Sequence, residues 1–543
     1  NQSYELFGGA GDDIFRFANT ITMIDRYYEA SIDGQGGQDT IRLDYITPVQ
    51  VDLSTGQASP IADGAVSRIV NLENIIGGSG NDILTGDNGD NIIYGGSGND
   101  ILTGGLGNDT YLFGNGWGSD TINESADSGR DMISLAGYSP LSIAPATANA
   151  IFTIKTDGIA VNEGANTVAY SGNDIEDLTG GNGDDSFVFK DEARLTGTID
   201  GSAGSDKLDY SDYTTERDVL LTALGDLDGF VGQEASLADG FTNIDSITAG
   251  QSGSDSFTGM DADAVFTINK VDNDYLVGAN KLTFTNFEYV NGGGADDTFN
   301  ILAANEQIKE YRGGAGDDTF ALIGLGNVSE DKGNVPGRIN GQGGTDLLNY
   351  KDYGGTVGVL VDLASHLAKG IFGGAVGGIF GIESVTGTNY ADTFIGDEND
   401  NIFKGLDGSD IYRFLAEWGN DFVDDLAGLA DEVDFSGVSM AMSFTFMFGG
   451  VTATDGKQRL TIRANNIESF KSGSGDDTFV FGEDGADLAG GNGEIDSGGG
   501  VNTLDYQSYS GANPVAVDLA AGTATGTAGI TGISNVYGGA GKD

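Results

Sequence analysis

The feature that most restricts the fold of this chain is a tandem array of nine-residue segments. Residues 77–112 read GGSGNDILT, GDNGDNIIY, GGSGNDILT and GGLGNDTYL, and residues 387–413 read GTNYADTFI, GDENDNIFK and GLDGSDIYR. Each segment has a six-residue loop that ends in Asp or Asn, followed by three residues that suffice only for a short strand. Because so short a repeat buries its apolar side chains only against its neighbours, we expect a solenoid with two segments in each coil.

Looser copies of the same loop predict a longer repeat above the short one. Its units start near Asp13, Asp185, Asp318 and Asp477. The predicted division is residues 1–179 with the first array, 180–312 as a shorter unit, 313–472 with the second array, and 473–543 as a partial unit. The pattern is in progress at both ends, so we expect this sequence to be a segment of a longer repetitive protein.

The composition limits the partners that such a solenoid could bind. The chain has 83 acidic and 25 basic residues, which gives a formal net charge of −58. This charge disfavours nucleic acid and anionic membrane surfaces, and it favours cations. The absence of Cys and the single histidine, His366, exclude disulfides, thiolate sites and His-rich metal sites. We expect neither nucleic-acid binding nor membrane insertion.

The loop aspartates indicate which cation is bound. Two segments per coil place residues eighteen apart in neighbouring coils, about 4.8 Å from each other. Asp82 then stacks with Asp100, and Asp392 with Asp410. Carboxylates this close repel each other unless a cation lies between them. A site built only from oxygen atoms is typical of a hard cation, and the loop size favours calcium over magnesium. The isolated loops predict further pairs, namely Asp13 with Asp39, Asp185 with Asp206, Asp297 with Asp318, and Asp318 with Asp346. In an alternative without metal, each Asp caps the backbone amides of its own turn.

These loops resemble the RTX (hemolysin-type) calcium-binding nonapeptide repeats of secreted bacterial proteins. The resemblance is close over residues 77–112, clear over 387–413 and partial elsewhere. It implies an all-β, elongated, right-handed parallel β-roll or β-solenoid that holds several Ca²⁺ ions along its loops. The ligand sets that it implies are Gly78, Gly80, Asp82, Gly95, Ser97 and Asp100; Asp87, Gly89, Asn91, Gly104, Leu106 and Asp109; and Thr388, Tyr390, Asp392, Gly405, Asp407 and Asp410. Asn91 stands where the family has Asp, so we expect the second of these sites to be weaker.

The repetition of the acidic residues favours a structural role over catalysis. An active site is a unique feature, whereas nearly every acidic cluster here recurs, and the chain has no nucleophile elbow or P-loop motif. We expect a secreted, calcium-stabilised structural protein of a cell-surface layer, matrix or filament, with calcium and copies of the same repeat protein as its partners. Two alternatives remain open: the spacer region of an RTX adhesin, and the calcium-binding portion of a secreted enzyme.

Overall fold

The chain forms two compact units in the computed structural model. The first contains residues 1–260 and 278–287, and the second contains residues 261–277 and 288–543. The structure describes residues 4–18, 30–59, 69–124, 129–327, 334–425, 427–428, 430–463, 467–482, 493–509, 514–539 and 543. The division into four sequence repeats stays a prediction.

Short strands make up almost all of the regular structure, because the segments between the glycine-rich loops form strands of only two to eight residues. In the first half of the chain they are β1 (Tyr4–Gly9), β2 (Ile14–Ala18), β3 (Ala30–Gln35), β4 (Thr40–Asp44), β5 (Gln50–Asp52), β6 (Gln57–Ser59), β7 (Ile69–Val70), β8 (Asn74–Ile76), β9 (Ile83–Thr85), β10 (Ile92–Tyr94), β11 (Ile101–Thr103), β12 (Thr110–Leu112), β13 (Ser119–Ile122), β14 (Met132–Ser134), β15 (Ile151–Lys155), β16 (Gly158–Glu163), β17 (Asn166–Ser171), β18 (Asp177–Thr179), β19 (Ser186–Phe189), β20 (Ile199–Asp200), β21 (Lys207–Asp209), β22 (Asp218–Leu224), β23 (Phe230–Glu234), β24 (Leu237–Ile244), β25 (Ser246–Thr248) and β26 (Ser256–Thr258).

The second half continues in the same way, with β29 belonging to the first unit. Its strands are β27 (Val265–Ile268), β28 (Asn273–Val277), β29 (Asn280–Thr285), β30 (Tyr289–Gly293), β31 (Thr298–Ile301), β32 (Glu310–Ala315), β33 (Thr319–Leu322), β34 (Arg338–Gly343), β35 (Leu347–Asn349), β36 (Leu360–Asp362), β37 (Leu367–Ala368), β38 (Ile379–Phe380), β39 (Ser384–Thr386), β40 (Thr393–Ile395), β41 (Ile402–Lys404), β42 (Ile411–Arg413), β43 (Asn420–Asp424), β44 (Glu432–Asp434), β45 (Ser443–Met447), β46 (Gly450–Thr454), β47 (Arg459–Arg463), β48 (Ser469–Lys471), β49 (Thr478–Phe481), β50 (Glu494–Asp496), β51 (Asn502–Asp505), β52 (Val517–Asp518), β53 (Thr523–Ala524), β54 (Gly529–Thr531) and β55 (Ile533–Tyr537). The only helical turns among the described residues are three 3₁₀ turns, at Ser139–Leu141, Leu325–Asn327 and Phe372–Gly374.

In the first unit, successive segments of the array alternate between two parallel sheets. Strands β8, β10 and β12 pair in one sheet, and β9, β11 and β13 pair in the other. Ile83 lies opposite Ile101, and Ile92 opposite Thr110, so the register is eighteen residues per coil. The predicted two-segment coil and the predicted all-β, parallel fold class are therefore confirmed.

The core lies between the two sheets, and the middle residue of each short strand points into it. Leu84, Ile93, Leu102 and Tyr111 are fully buried. The second unit repeats this arrangement, with β40, β42 and β44 in one sheet and β39, β41 and β43 in another. Its core is more aromatic, and Phe394 lies 5.6 Å from both Phe403 and Tyr412 between ring centres.

Antiparallel meanders of three strands interrupt the parallel sheets at several places in the described part of the chain, and the sequence pattern does not predict them. β15, β16 and β17 form the first, and the strands of its sheet lie in the order β13, β17, β16, β15, β19. β22 to β24 in the first unit and β45 to β47 in the second are arranged in the same way. None of the described residues belongs to a helix long and apolar enough to cross a membrane.

Candidate metal centres

Carboxylates at the sixth position of the loops form ladders along the edges of the sheets. The backbone N–H of Asp82 donates to Asp100 Oδ1 at 2.7 Å, and the N–H of Asp100 donates to Asp120 Oδ1 at 2.8 Å. In the second array, the N–H of Asp392 donates to Asp410 Oδ1 at 2.7 Å. One carboxylate oxygen of each ladder residue is thus held by the coil before it.

The isolated loops belong to ladders of the same kind. Each predicted pair is joined by a hydrogen bond from the N–H of the first Asp to Oδ1 of the second, at 2.7 or 2.8 Å. The joined pairs are Asp13 with Asp39, Asp185 with Asp206, Asp297 with Asp318, and Asp318 with Asp346. The structure therefore brings together every pair of aspartates that the sequence analysis proposed.

The second carboxylate oxygen, Oδ2, has a hydrogen-bond partner in some ladder residues and none in others. Asp82 Oδ2 accepts from Gly78 N–H at 2.9 Å, and Asp392 Oδ2 accepts from Thr388 N–H at 2.7 Å. Oδ1 of the same two residues accepts from Val49 N–H at 2.9 Å and from Val359 N–H at 2.6 Å, so backbone groups account for both oxygens of each. Elsewhere in the ladders, Oδ2 is buried and has no hydrogen-bond partner in the protein, at Asp39, Asp100, Asp120, Asp206, Asp297, Asp318, Asp346, Asp410 and Asp421.

The unpartnered oxygens make the ladders suitable for a hard cation. A buried carboxylate oxygen without a partner is costly, and a protein removes that cost by binding a metal or a proton. Burial, with neighbouring carboxylates adding to it, raises the pKa of Asp100 to about 6 and those of Asp120 and Asp410 to about 7. It raises the pKa of Asp206 and Asp421 to about 8. The donor set consists of oxygen atoms only, which fits Ca²⁺.

The first glycine of each loop leaves the space that its own aspartate occupies. A Cβ atom added at Gly95 would lie 2.3 Å from Asp100 Oδ2, and one at Gly405 would lie 2.2 Å from Asp410 Oδ2. A Cβ atom at this position would force the carboxylate of the loop's own Asp to move, so Gly is favoured there. Ser472 stands at the same position, five residues before Asp477, and its hydroxyl donates to Asp477 Oδ2. The spacing between the first Gly and Asp therefore has a steric cause that is independent of any metal.

The other residues implied by the resemblance lie in stacked loops. Gly78 O accepts from Ser97 N–H at 3.0 Å, and Asp87 O accepts from Leu106 N–H at 3.1 Å. A Cβ atom at the second or fourth glycine of the upper loop would lie 2.0 Å from Gly78 O or 1.9 Å from the carbonyl oxygen of Gly80. The carbonyl groups that are predicted to be calcium ligands thus face the neighbouring loop. That these carbonyl groups, with those of Gly89, Gly95, Gly104, Thr388, Tyr390, Gly405 and Asp407, bind calcium stays a prediction.

Asn91 differs from the aspartates of its ladder. Its N–H donates to Asp109 Oδ1 at 2.7 Å, in the ladder geometry, but its side-chain Nδ2 donates to Glu73 O at 2.9 Å. The side-chain amide of Asn91 therefore has a hydrogen-bond partner within the protein and does not need a cation. This is in keeping with the weaker site that we expect there.

Sequence analysis missed four glutamates that occupy ladder positions. The N–H of Asp39 donates to Glu73 Oε2 at 2.7 Å, and the N–H of Asp346 donates to Glu383 Oε2 at 3.0 Å. Glu176 and Glu468 accept in the same way from Asp131 and Asp431. Each of these glutamates directly precedes a strand, as the loop aspartates do, and this position is the signal that could have identified them.

It also missed an acidic residue near the end of each array. Glu124 and Asp425 each follow a ladder residue, Asp120 or Asp421, by four positions, where the loops of the array have their first glycine. Carboxylate oxygens of three residues approach within 4.8 Å of one another in each place, at Asp109, Glu124 and Asp131, and at Asp410, Asp425 and Asp431. A third such group contains Asp206, Asp228 and Asp245.

Comparison with known families agrees with this geometry. The RTX calcium-binding nonapeptide repeat matches the chain in four copies, over residues 76–111, 378–412 and 386–423. The chain carries RTX calcium-binding repeats. The matched residues contain the second tandem array and all but the last residue of the first, and the carboxylate ladders extend beyond them. No curated protein sequence matches the chain.

Proposed function

We propose that this RTX chain is a calcium-stabilised extracellular structural protein, which forms or extends a cell-surface layer, matrix or filament. The observation that carries the proposal is the row of buried, unpartnered carboxylate oxygens along the ladders. Calcium removes the cost of burying them and joins each coil to the next. Residues that recur in register in this way build a scaffold, whereas a catalytic group is present once.

The charge of the chain supports the same role. With a net charge of −58, the chain repels itself in the absence of cations and gains its compact form when calcium neutralises the loops. Surfaces this acidic approach each other only when bridging calcium or screening salt is present. RTX proteins are typically secreted by bacteria, and extracellular calcium would then switch on both folding and association.

The first experiment tests calcium as the folding ligand. We expect circular dichroism of the full chain to lose its β signal in excess chelator, to regain it with calcium, and to regain much less with magnesium. Magnesium is the matched control, because it has the same charge but demands shorter bonds and a more regular coordination shell. An unchanged spectrum in excess chelator would remove the basis of the proposal.

The second experiment tests assembly. We expect sedimentation and electron microscopy to show elongated assemblies in millimolar calcium, which grow with protein concentration and dissolve in chelator. A chain that folds with calcium but stays monomeric at high protein concentration would contradict the assembly role. It would favour the spacer region of an adhesin.

A further inference from the structure

The last coil of each tandem array carries two linked changes from the nonapeptide pattern. Glu124 and Asp425 replace the first glycine of a loop, and the strand before that coil has Tyr111 or Tyr412 at its buried middle position. The hydroxyl of Tyr412 donates to Asp425 Oδ2 at 2.7 Å, and that of Tyr111 donates to Glu124 Oε2. The same acid and tyrosine pair is thus found in both units.

The extra carboxylate converges on the ladder residue below it. A Cβ atom at Gly104 would lie 2.2 Å from Asp109 Oδ2 and 2.7 Å from Glu124 Oε2. At Gly405, it would lie 2.2 Å from both Asp410 Oδ2 and the hydroxyl oxygen of Tyr412. The glycine of the lower loop therefore provides the space in which the two acidic groups meet.

In the second unit, the acidic side chains around this space are buried, and one of their carboxylate oxygens has no hydrogen-bond partner. Asp410, Asp425 and Asp431 are at most 1% exposed. Asp410 Oδ2 makes no hydrogen bond, while Asp431 Oδ1 accepts from the N–H of Asp410 at 2.8 Å. Three buried acidic groups, with an unsatisfied oxygen among them, require a positive charge.

We propose that the last coil of each array holds a separate cation site with three carboxylates, Asp410, Asp425 and Asp431 in the second unit and Asp109, Glu124 and Asp131 in the first. Its ligand is a divalent or trivalent hard cation, with Ca²⁺ the physiological one. The third carboxylate lies outside the glycine pattern of the nonapeptide, and it makes this site more negative than a site between two loops with one Asp each. More carboxylate ligands give tighter calcium binding. Tyr412 and Tyr111 are positioning residues that hold the third carboxylate over the glycine.

This inference rests on the proposed function, because it assumes that the ladders bind calcium. Its test is a calcium titration of the full chain by calorimetry, with Asp425→Asn and Asp425→Gly compared with the parent protein. We expect either substitution to weaken one of the two tight sites at least tenfold while the remaining sites keep their affinity. Asp425→Gly places glycine at the position that it holds in the other loops of the array, and it provides a second variant if the amide is poorly tolerated. Glu398→Gln, an exposed acidic residue of the same array, is the control for the loss of one charge.

The tyrosine provides a second readout. Terbium bound at this site would be excited through Tyr412, so Tyr412→Phe should lower terbium luminescence while changing calcium affinity less than threefold. The same pair of results is expected for Glu124→Gln and Tyr111→Phe in the first unit. If calcium folds the parent chain but Asp425→Asn titrates like Glu398→Gln, the three-carboxylate site is wrong and the proposed function stands. If calcium neither folds nor binds the parent chain, both fail.

Discussion

The two tandem arrays share a register but differ in loop composition. Leu84 lies opposite Leu102 in the first array, and Phe394 lies opposite Tyr412 in the second, so both have coils of eighteen residues. The loops of the first array are rich in glycine at positions one, two and four, whereas the loop at residues 387–392 keeps only the first of these. The hydrogen bond between ladder aspartates is 2.7 Å long in both arrays.

This difference separates the essential loop residues from the favourable ones. The first glycine is kept in both arrays because the Asp carboxylate lies directly beneath it. The second glycine is replaced by Thr388 and by Leu406, which has a φ of +77°. A leucine in the left-handed region is strained by roughly 1–2 kcal/mol. The coil therefore tolerates side chains at the second position, at a cost in stability.

The largest effect that we predict is a pH dependence of the stability of the metal-free chain, and it should be common to both arrays. The raised pKa values of Asp100 and Asp410 mean that the folded, metal-free chain binds protons that the unfolded chain has already lost. Between about pH 4 and pH 7, the free energy of unfolding should therefore fall as the pH rises. With calcium bound, this dependence should largely disappear. Circular dichroism in excess chelator from pH 4 to pH 7 measures it, because the β signal that is lost at neutral pH should persist at the acidic end. Hydrogen exchange at the acidic end would reveal whether only one array responds.

The next largest effect should follow from replacing the second glycine of a loop in the first array. Gly96 has a φ of +99°, and a Cβ atom there would lie 2.0 Å from Gly78 O. We expect Gly96→Ala to destabilise the first unit by roughly 3 kcal/mol, because it combines an unfavourable φ with a collision against the backbone. Ser97→Ala, which adds no atom to the same loop, is the control. Equal melting temperatures for the two variants would contradict the steric reading of the loop.

A smaller effect should follow from replacing a ladder carboxylate in either array. Asp100→Asn and Asp410→Asn each replace a charged group by an amide, and calcium affinity at the site should fall about tenfold, or 1.4 kcal/mol. Glu398→Gln is the control, because its side chain is exposed and it belongs to none of the implied ligand sets. Calorimetric titration that finds the same affinity in all three variants would show that the ladder is not the calcium site.

The smallest effect should be a gain in stability. Leu406→Gly removes the strain at a positive φ but increases the entropy of the unfolded chain, so we expect a net stabilisation of about 1 kcal/mol or less. The measurement is the thermal unfolding of the calcium-bound protein. A loss of stability would mean that the side chain of Leu406 contributes more by packing than its backbone costs.

The nine-residue spacing predicts the coil and the positions of its aspartates well, because the Asp or Asn that ends each loop recurs every nine residues within an array. They do not predict Glu73 or Glu383, since a longer side chain reaches the ladder from a sequence that lacks the glycine pattern. They also miss Glu124 and Asp425, which differ from the repeat at the one position that is otherwise constant. Apolar residues alternate in the same way in parallel and antiparallel strands, so this pattern does not predict the meanders.

The meanders reverse the order in which strands join the sheet as the solenoid grows. β15 pairs with β19, and it is separated from β13 by β16 and β17, which come later in the chain than β15 itself. A solenoid without such inserts can grow by one coil at a time, from either end. Here, growth from the β13 side begins with β17, so β15 and β16 must already be available, and they join in the order opposite to that of the chain. The loop that leads from β13 to β17 therefore has to close over two unpaired strands, which adds to the entropic cost of that step.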